Sequence, residues 1–411
     1  MNEQIDLTQF GWDGLSIPAN LTNVCKSLPK WNKLKCLRDT ALIGHHLVHF
    51  PHHYFRDAGG AVFMPALVKK ELHNDHGGYS QIYKAERALY KPTGDLYGAV
   101  KLDRIQGFED ICIKEMVLRI GRATDQEEYE EEINAILYEA YLHALLYKTL
   151  EKHDYESFIP RLYEITARTK TYDIARAITD LHAIWMTMEF LEGSTFEKCL
   201  QHMFTRDKRA NSALLKQILL QLCFLLHFLQ KTLRFNHRDL KINNVYIRSH
   251  DASEAWRRTL VFDDGRVFEC DIDAVLLDFG FSCIACGSGF RNPRATLLGA
   301  GVYFTSDDDC MKEGRDLAQF LYSLHCSFPL QHYILPEMFD VLHVAVKTNL
   351  GRTHHDLWKG IDERGNPYVM TELPPAIRYN NGIYAYLRQN DLEIPGCIPA
   401  VLAGALLSLS L

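Results

Sequence analysis

Hydrophobic residues recur at helical spacing in two long segments of the chain. Between about residues 126 and 152, apolar positions three and four apart include Ile133, Ile136 and Leu145. Residues 213–233 are almost continuously apolar and long enough for a buried helix. The spacing therefore predicts two helices, the second of them in a core.

Shorter apolar segments have the composition of strands. They are residues 80–85, 97–102, 158–165 and 184–191. Pro92 and Gly94 predict a turn between the first two segments, because proline fixes φ and glycine permits a positive φ. Residues 260–269 predict a hairpin with an Asp264-Gly265 turn. The apolar tail, residues 398–411, predicts a packed terminal helix, so the whole pattern predicts an α+β chain.

Composition excludes several classes of protein. The chain has 411 residues, a formal net charge of −7 and 24% charged residues, which argues against a nucleic-acid binder. Its eleven cysteines follow no framework spacing, and the acidic N-terminus is no targeting segment. We therefore expect reduced thiols in an intracellular, most simply cytoplasmic, setting. No apolar run reaches the roughly 18–20 residues that a bilayer span needs, and the sequence does not specify an oligomeric state.

The strongest chemical signal is His237-Arg238-Asp239-Leu240-Lys241-Ile242-Asn243-Asn244. This H-R-D-L-K-x-x-N pattern places a carboxylate, Asp239, where it can accept the proton of a substrate hydroxyl. Asn244, five positions later, supplies an uncharged oxygen that suits a hard cation such as Mg²⁺. Lys241 can reach a transferred phosphate as a point charge. The pattern therefore predicts phosphoryl transfer, with Asp239, Lys241 and Asn244 as catalytic residues.

Two further motifs accompany it in the expected order. Residues 275–280 form an apolar strand that ends in Asp278-Phe279-Gly280, and Tyr97-Gly98-Ala99-Val100-Lys101-Leu102 is similar to a V-A-I-K strand. Over residues 72–325 the chain therefore resembles the eukaryotic-type protein kinase superfamily, Ser/Thr kinases in particular. Compact, divergent kinases of this sort occur in large DNA viruses.

The resemblance implies a two-lobed protein-kinase-like fold. Residues 72–192 would form a small β-rich N-lobe, and residues 193–411 a larger α-helical C-lobe with an inserted hairpin near 255–272. Residues 1–71 would be an N-terminal extension packed on the kinase body. ATP and Mg²⁺ would be the cofactors, expected between the lobes.

The resemblance also implies roles for individual residues. Asn244 and Asp278 would hold Mg²⁺, and Lys101 would bind the phosphates while paired with Glu139. Glu132 and Glu115 remain alternatives for that pairing, because residues 106–131 are interpreted as an insertion. The other nucleotide-binding positions would be the phosphate flap, Gly77, Gly78, Tyr79, Ser80 and Ile82, and the hinge, Met188, Glu189 and Leu191. In the hinge, Met188 would be the gatekeeper, while the Glu189 carbonyl and the Leu191 amide would bind adenine.

The segment after D-F-G departs from the family pattern. The A-P-E triplet is absent, and Asp307 is the nearest counterpart of its glutamate. Asp316, in Gly314-Arg315-Asp316-Leu317, is expected to brace the backbone of the H-R-D loop. Four hydroxyl residues are possible phosphorylation sites: Ser282, Ser288, Thr296 and Ser306.

By resemblance, Lys241 favours a Ser/Thr kinase, with proteins that carry Ser or Thr acceptors as substrates. Two alternatives stay open: a small-molecule phosphotransferase on a kinase-like fold, and a nucleotide-binding pseudokinase scaffold.

Three other clusters have simpler interpretations. Cys283 and Cys286 form a lone C-x-x-C, which favours ordinary thiols over a metal site. The histidine group has no acidic H-E-x-x-H partner and is interpreted as packing or surface residues; it comprises His45, His46, His49, His52 and His53. The acidic run at residues 307–309 is interpreted as a helix N-terminus rather than a calcium site.

Overall fold

The computed structural model describes part of the chain, in two compact units. The described residues are 47–50, 55–56, 62–63, 71–74, 80–90, 105–117, 139, 142–143, 145–147, 149–169, 181–203, 207–250, 256–284, 312–347, 359–361, 367–369 and 394–410. Unit 1 is Met1–Leu191 and unit 2 is Glu192–Leu411. The described residues form both helices and mainly antiparallel sheets, so the prediction of an α+β chain is confirmed.

Unit 1 contains a six-stranded sheet. The strands of this unit are β1 (Leu47–Phe50), β2 (Phe55–Arg56), β3 (Val62–Phe63), β4 (Glu71–Asn74), β5 (Ser80–Tyr90), β6 (Ile105–Val117), β7 (Leu162–Thr169) and β8 (Leu181–Glu189). The order across the sheet is β1-β7-β8-β6-β5-β4, and β2 pairs with β3. All neighbours in the sheet are antiparallel except β1 and β7. The strands predicted near residues 80, 160 and 185 are therefore present.

Strand β6 corrects one expectation. Residues 106–131 are predicted as an insertion, yet residues 106–117 form most of β6, between β5 and β8 in the sheet. Ile111 and Ile113 are buried on one face while Cys112 and Lys114 alternate with them, which is the period of a strand. The charged residues interspersed among them obscure this alternation in the sequence. Residues 118–131 lie outside the described residues.

One face of this sheet carries a compact apolar cluster. Its members are Ala85, Ile111, Ile113 and Trp185, with Tyr83 and Val117 partly buried against them. Glu115 lies on the same face and accepts hydrogen bonds from Trp185 Nε1 at 2.7 Å and from the Tyr83 hydroxyl at 3.0 Å. The two donors satisfy a carboxylate that would otherwise be costly to bury.

A buried helix lies between β6 and β7 in the chain. The described residues that are helical between positions 139 and 151 belong to the predicted helix, which is confirmed there. Most of them are almost fully buried: Glu139, Leu142, His143, Leu145, Leu146, Thr149 and Leu150. A helix buried on this scale belongs to the core of its unit.

Unit 2 combines helices with short ladders. Its helices are α1 (Phe196–Met203), α2 (Lys208–Leu233), α3 (Arg315–Ser327), α4 (Pro336–Ala345) and α5 (Pro399–Leu407). Its strands are β9 (Gly193–Thr195), β10 (Phe235–Asn236), β11 (Val245–Arg248), β12 (Arg258–Val261), β13 (Val267–Cys270), β14 (Asp273–Leu276), β15 (Cys283–Ile284), β16 (Lys359–Ile361) and β17 (Pro367–Val369). The order in the largest ladder is β9-β11-β14, and the other pairs are β10-β15, β12-β13 and β16-β17.

Helix α2 is the core of unit 2, as its apolar sequence predicts. Asp207 caps its first turn by accepting from the backbone N–H of Arg209 at 2.9 Å, and Arg234 ends it in the left-handed conformation. By length and composition alone, α2 could cross a membrane, so it is an exception to the expectation that no segment could do so. Most of its apolar window is buried inside the protein, which is the ordinary state of a core helix.

The predicted hairpin is formed by β12 and β13, with Gly265 at a φ of 80° in its turn. Arg258 at its base pairs with Asp273 at 2.6 Å and donates to Gln221 of α2 at 2.7 Å. The ring of Phe262 packs edge-on against Phe224 of α2. These contacts favour the interpretation that the hairpin braces unit 2.

The tail packs as predicted. Leu402 and Leu406 of α5 are fully buried, and the ammonium of Lys216 in α2 donates to the Leu409 carbonyl at 2.8 Å. Gly314, which precedes α3, has a φ of 76°, and an added Cβ would lie 2.8 Å from the Ile394 carbonyl oxygen. Glycine is therefore required where the C-terminal segment crosses the start of α3.

Candidate functional site

The H-R-D motif lies between β10 and the short 3-10 helix Ile242–Asn244. Lys241 Nζ donates to Oδ2 of Asp239 at 2.7 Å. The Asn244 amide donates to the Asp239 carbonyl at 2.8 Å and to Oδ2 at 3.2 Å. The three residues predicted as catalytic therefore form one hydrogen-bonded group. Both bonds that this group makes to the Asp239 carboxylate end on Oδ2 and not on Oδ1.

Main-chain hydrogen bonds join this loop to the D-F-G segment. Leu277 N donates to the Asn244 carbonyl at 2.9 Å, and Val245 is directly opposite Leu276 in the β11–β14 ladder. Asp278 is the next residue after Leu277. The ladder therefore brings the predicted metal ligands, Asn244 and Asp278, to the same end of two paired strands.

Asp316, at the start of α3, binds the main chain of the H-R-D loop through its carboxylate. Its two carboxylate oxygens accept from the main-chain N–H groups of His237 at 2.8 Å and Arg238 at 2.9 Å. The buried Asn236 amide donates to the same carboxylate at 3.0 Å. The prediction that Asp316 braces this loop is confirmed.

Two residues of the motifs have left-handed backbone conformations. Arg238 has a φ of 65° and Asp278 a φ of 61°, which is uncommon for residues other than glycine. Such conformations persist where the surrounding contacts impose them, and they concentrate at functional sites. Here the Asp316 bonds fix Arg238, and the ladder fixes the residue before Asp278.

Aromatic packing connects the two motifs. The buried ring of Phe279 lies 5.7 Å from the His237 ring and 6.4 Å from Phe235. His237 Nε2 donates to the Leu277 carbonyl at 2.9 Å. The backbones of the two motifs are thus held together on both sides of Asp278.

Ser282 does not suit the role of an exposed phosphorylation site. It is fully buried, and its hydroxyl donates to the His237 carbonyl at 3.1 Å. The reason is the pairing of β15 with β10, which draws the start of the segment after D-F-G into the core. The other three possible sites, Ser288, Thr296 and Ser306, lie outside the described residues.

The pKa of the Asp239 carboxyl is raised above its usual value. Burial is the main cause, the Lys241 ammonium opposes it, and the Asp278 carboxylate adds repulsion. Such a mixture of burial and nearby charges is typical of sites where protons are transferred.

A second group of charged residues lies in unit 1. Lys114 of β6 and Glu139 of the buried helix form an ion pair, with side chains 10% and 2% exposed. Glu139 is the glutamate predicted for this pairing, but its predicted partner, Lys101, lies outside the described residues. Glu115 lies on the opposite face of the sheet, bonded to Trp185 and Tyr83.

Lys114 itself was not predicted, although the sequence carries a signal for it. Ile111-Cys112-Ile113-Lys114 has the apolar, small, apolar, lysine order of V-A-I-K. This signal lies within residues 106–131, which are interpreted as an insertion.

Several predicted nucleotide-binding residues lie on the same sheet face as Lys114. Ile82 of β5 is directly opposite Lys114, and Ser80 is two residues before it. Met188 of β8 is opposite Cys112, two residues from Lys114. Because side chains two apart on a strand share a face, the sheet brings Ser80, Ile82, Lys114 and Met188 together.

The residues predicted to form the hinge lie at the end of β8 and just after it. The Glu189 N–H donates to the Arg161 carbonyl at 2.8 Å, and its carboxylate accepts from the Arg161 N–H at 3.2 Å. Leu191 is buried. The remaining predictions fall outside the described residues. They are the turn at Pro92 and Gly94, the strand at 97–102, the flap residues Gly77, Gly78 and Tyr79, the alternative Glu132, Asp307 and the acidic run at 307–309, Cys286, and all of the histidine group except His49.

The residues at the H-R-D loop fit a nucleotide-bound Mg²⁺ ion. Among the described residues no three His, Cys, Asp or Glu side chains are grouped to hold a metal by themselves. Mg²⁺ in phosphoryl-transfer sites needs only one or two protein ligands, because phosphates and waters complete its octahedron. The Asn244 amide nitrogen is engaged with Asp239, so its carbonyl oxygen is the atom left for such an ion.

Comparison with known proteins gives no family. No protein-family model matches the chain, and no curated protein matches it.

Proposed function

We propose that this chain is an ATP- and Mg²⁺-dependent protein kinase with a two-lobed fold, which transfers the γ-phosphate to Ser or Thr hydroxyls of proteins. The observation that carries the proposal is the group formed by Asp239, Lys241 and Asn244. A carboxylate, a cation and an oriented amide within hydrogen-bond distance of one another are the components of the kinase catalytic loop.

The contacts at Asp239 support a division of work between its two oxygens. Oδ2 is bonded to Lys241 and Asn244, which fixes the orientation of the carboxylate. Oδ1 accepts the proton of the acceptor hydroxyl as that oxygen attacks phosphorus, a form of base catalysis worth about 10²–10⁴-fold. Lys241 then stabilises the negative charge that develops on the transferred group.

Asn244 and Asp278 would hold the Mg²⁺ ion. When bound, the ion would supply positive charge that offsets the negative charge of the ATP phosphates. The left-handed conformation at Asp278 and the main-chain bond between Leu277 and Asn244 support this assignment, since both fix the ligands before the nucleotide arrives.

In unit 1, Lys114 takes the role that the sequence suggested for Lys101. Kinases place the phosphate-binding lysine on the third strand of the small lobe, paired with a helix glutamate. Lys114 is on β6, the third of three consecutive antiparallel strands, and it pairs with Glu139. Ser80, Ile82 and Met188, on the same sheet face, would contact the nucleotide.

The test is transfer of labelled γ-phosphate from Mg-ATP to the protein itself and to generic Ser/Thr-rich acceptors. The Asp278→Asn variant is run beside the wild type, because asparagine tolerates the left-handed backbone while it removes the charge of the ligand. We expect incorporation on Ser or Thr that is lost in the variant. No transfer to any protein by the wild type would overturn the proposal.

A further inference from the structure

His143 lies on the same helix as Glu139, one turn further on. Side chains four residues apart on a helix lie on the same face, so the helix presents both in one direction. His143 is 4% exposed, and its Nε2 is 2.8 Å from the carbonyl oxygen of Pro160. A carbonyl oxygen can only accept, so Nε2 carries the hydrogen and donates it.

The acceptor is itself held by the sheet. Pro160 immediately precedes Arg161, whose carbonyl accepts the Glu189 N–H at 2.8 Å. Leu162, one residue further on, is directly opposite Met188. The hydrogen bond therefore connects the Glu139 helix to the entrance of β7, next to the predicted hinge strand β8.

We propose that His143 is a positioning residue, whose hydrogen bond to Pro160 holds the Glu139 helix where Glu139 meets Lys114. Two of the helix's polar side chains, one turn apart, are tied to the sheet: Glu139 to β6 and His143 to the start of β7. Two attachments fix both the position and the rotation of the helix, whereas the ion pair alone would fix one point. The claim that His143 contributes to phosphate binding rests on the proposed function. The claim that His143 restrains the ion pair does not rest on it.

The electrostatic surroundings keep the ring in the donating form. Burial lowers the pKa of His143 to about 4, although the Pro160 bond and the Glu139 carboxylate act in the opposite direction and Lys114 acts with burial. The neutral ring persists at physiological pH. A neutral ring carries no positive charge that could compete with Lys114 for Glu139.

Three variants separate positioning from packing. His143→Leu fills the site without a donor, and His143→Gln restores an N–H group that can reach the same carbonyl. Thr149→Val is the matched control, because Thr149 is equally buried on the same helix and its hydroxyl donates to the Leu145 carbonyl within that helix. The readout is the rate at which Lys114 in the full chain is acylated by an amine-reactive ester, measured by mass spectrometry.

We expect acylation of Lys114 to rise about tenfold in His143→Leu, because the local opening that exposes the amine becomes more frequent. His143→Gln should stay near the wild-type rate, and so should Thr149→Val. An unchanged rate in a folded His143→Leu protein would overturn the proposal, because His143 would then contribute packing alone. An equal rise in Thr149→Val would also overturn the proposal, because any loss of helix stability would then suffice.

Phosphate transfer by the same proteins distinguishes the two proposals. If His143→Leu exposes Lys114 but the wild type transfers no phosphate, the positioning role stands and the proposed function fails. If the wild type transfers phosphate and Lys114 is acylated at the same rate in the wild type and in His143→Leu, the positioning role fails and the proposed function stands.

A measurement on the wild-type chain covers the case in which His143→Leu does not fold. With ¹⁵N-labelled histidine, the His143 ring should show the neutral form protonated at Nε2 at pH 6. A ring protonated at Nδ1 alone, or one already charged at pH 6, would overturn the proposal.

Discussion

Lys114 and Glu139 form a buried ion pair between the middle of the unit 1 sheet and the helix that follows it. The pair is nearly closed to water, and the sheet face around Lys114 carries Ile82 and Met188. In the proposed function this lysine binds the phosphates, and Glu139 fixes its direction.

The activity of lysine variants should distinguish Lys114 from Lys101. Lys114→Met should reduce phosphate transfer by about 10²-fold or more, because the fixed positive charge that binds the phosphates of the nucleotide is lost. Lys101→Met, matched in chemistry, should keep most of the activity. Steady-state transfer rates at saturating Mg-ATP provide the measurement. The reverse ranking would return the role to Lys101.

The same ion pair makes a prediction about stability. Removing one partner leaves a buried charge without compensation, so Lys114→Met should lower the free energy of unfolding by about 3–5 kcal/mol. The double variant Lys114→Met/Glu139→Leu should recover most of that loss while remaining inactive. Urea denaturation of the single and double variants checks this. A loss in the double variant as large as that in Lys114→Met would contradict this prediction, because replacing Glu139 as well removes the uncompensated buried charge.

The sequence predicted the motif loops better than it predicted the sheet. Asp239, Asn244 and Asp316 could be placed because each is specified by short, local spacing. Lys114 could not, since the alternation of Ile111 and Ile113 is interrupted by charges whose burial depends on distant partners. Glu139 is an intermediate case: its helix was evident from periodicity, but the strand it would meet was not.

Asp316 should be a major source of stability in unit 2. Asp316→Asn removes a charged acceptor from two main-chain N–H groups, those of His237 and Arg238. Hydrogen bonds to charged groups contribute about 1.5–3 kcal/mol each, so the variant should lose about 3 kcal/mol in urea denaturation. The exposed Asp340→Asn on α4 should change stability by less than about 0.5 kcal/mol. Similar values for the two variants would show that the carboxylate does not hold the loop.

His143 should make stability fall as the solution becomes acidic. Its pKa is about 4 in the folded chain, below the ordinary histidine value of 6.5. Between these values the unfolded chain binds the extra proton, so the free energy of unfolding decreases as pH falls from 6.5 towards 4, by up to about 1.4 kcal/mol per pH unit. The contribution is fully present above 6.5.

The check is the difference between the wild type and His143→Gln, both unfolded by urea across that pH range. The variant should lack this part of the slope, since glutamine does not titrate. Parallel pH profiles would contradict a buried neutral histidine.

The most direct test of the account measures binding and chemistry together in Asp239→Asn. This variant keeps the shape of the side chain and an oxygen for Lys241 but removes the base. We predict that it binds Mg-ATP by calorimetry within about threefold of the wild type, while phosphate transfer falls by about 10³-fold. Asp263→Asn, an exposed change in the hairpin, should leave both unchanged. Transfer by Asp239→Asn at the wild-type rate, or a wild-type chain that does not bind Mg-ATP, would contradict the account.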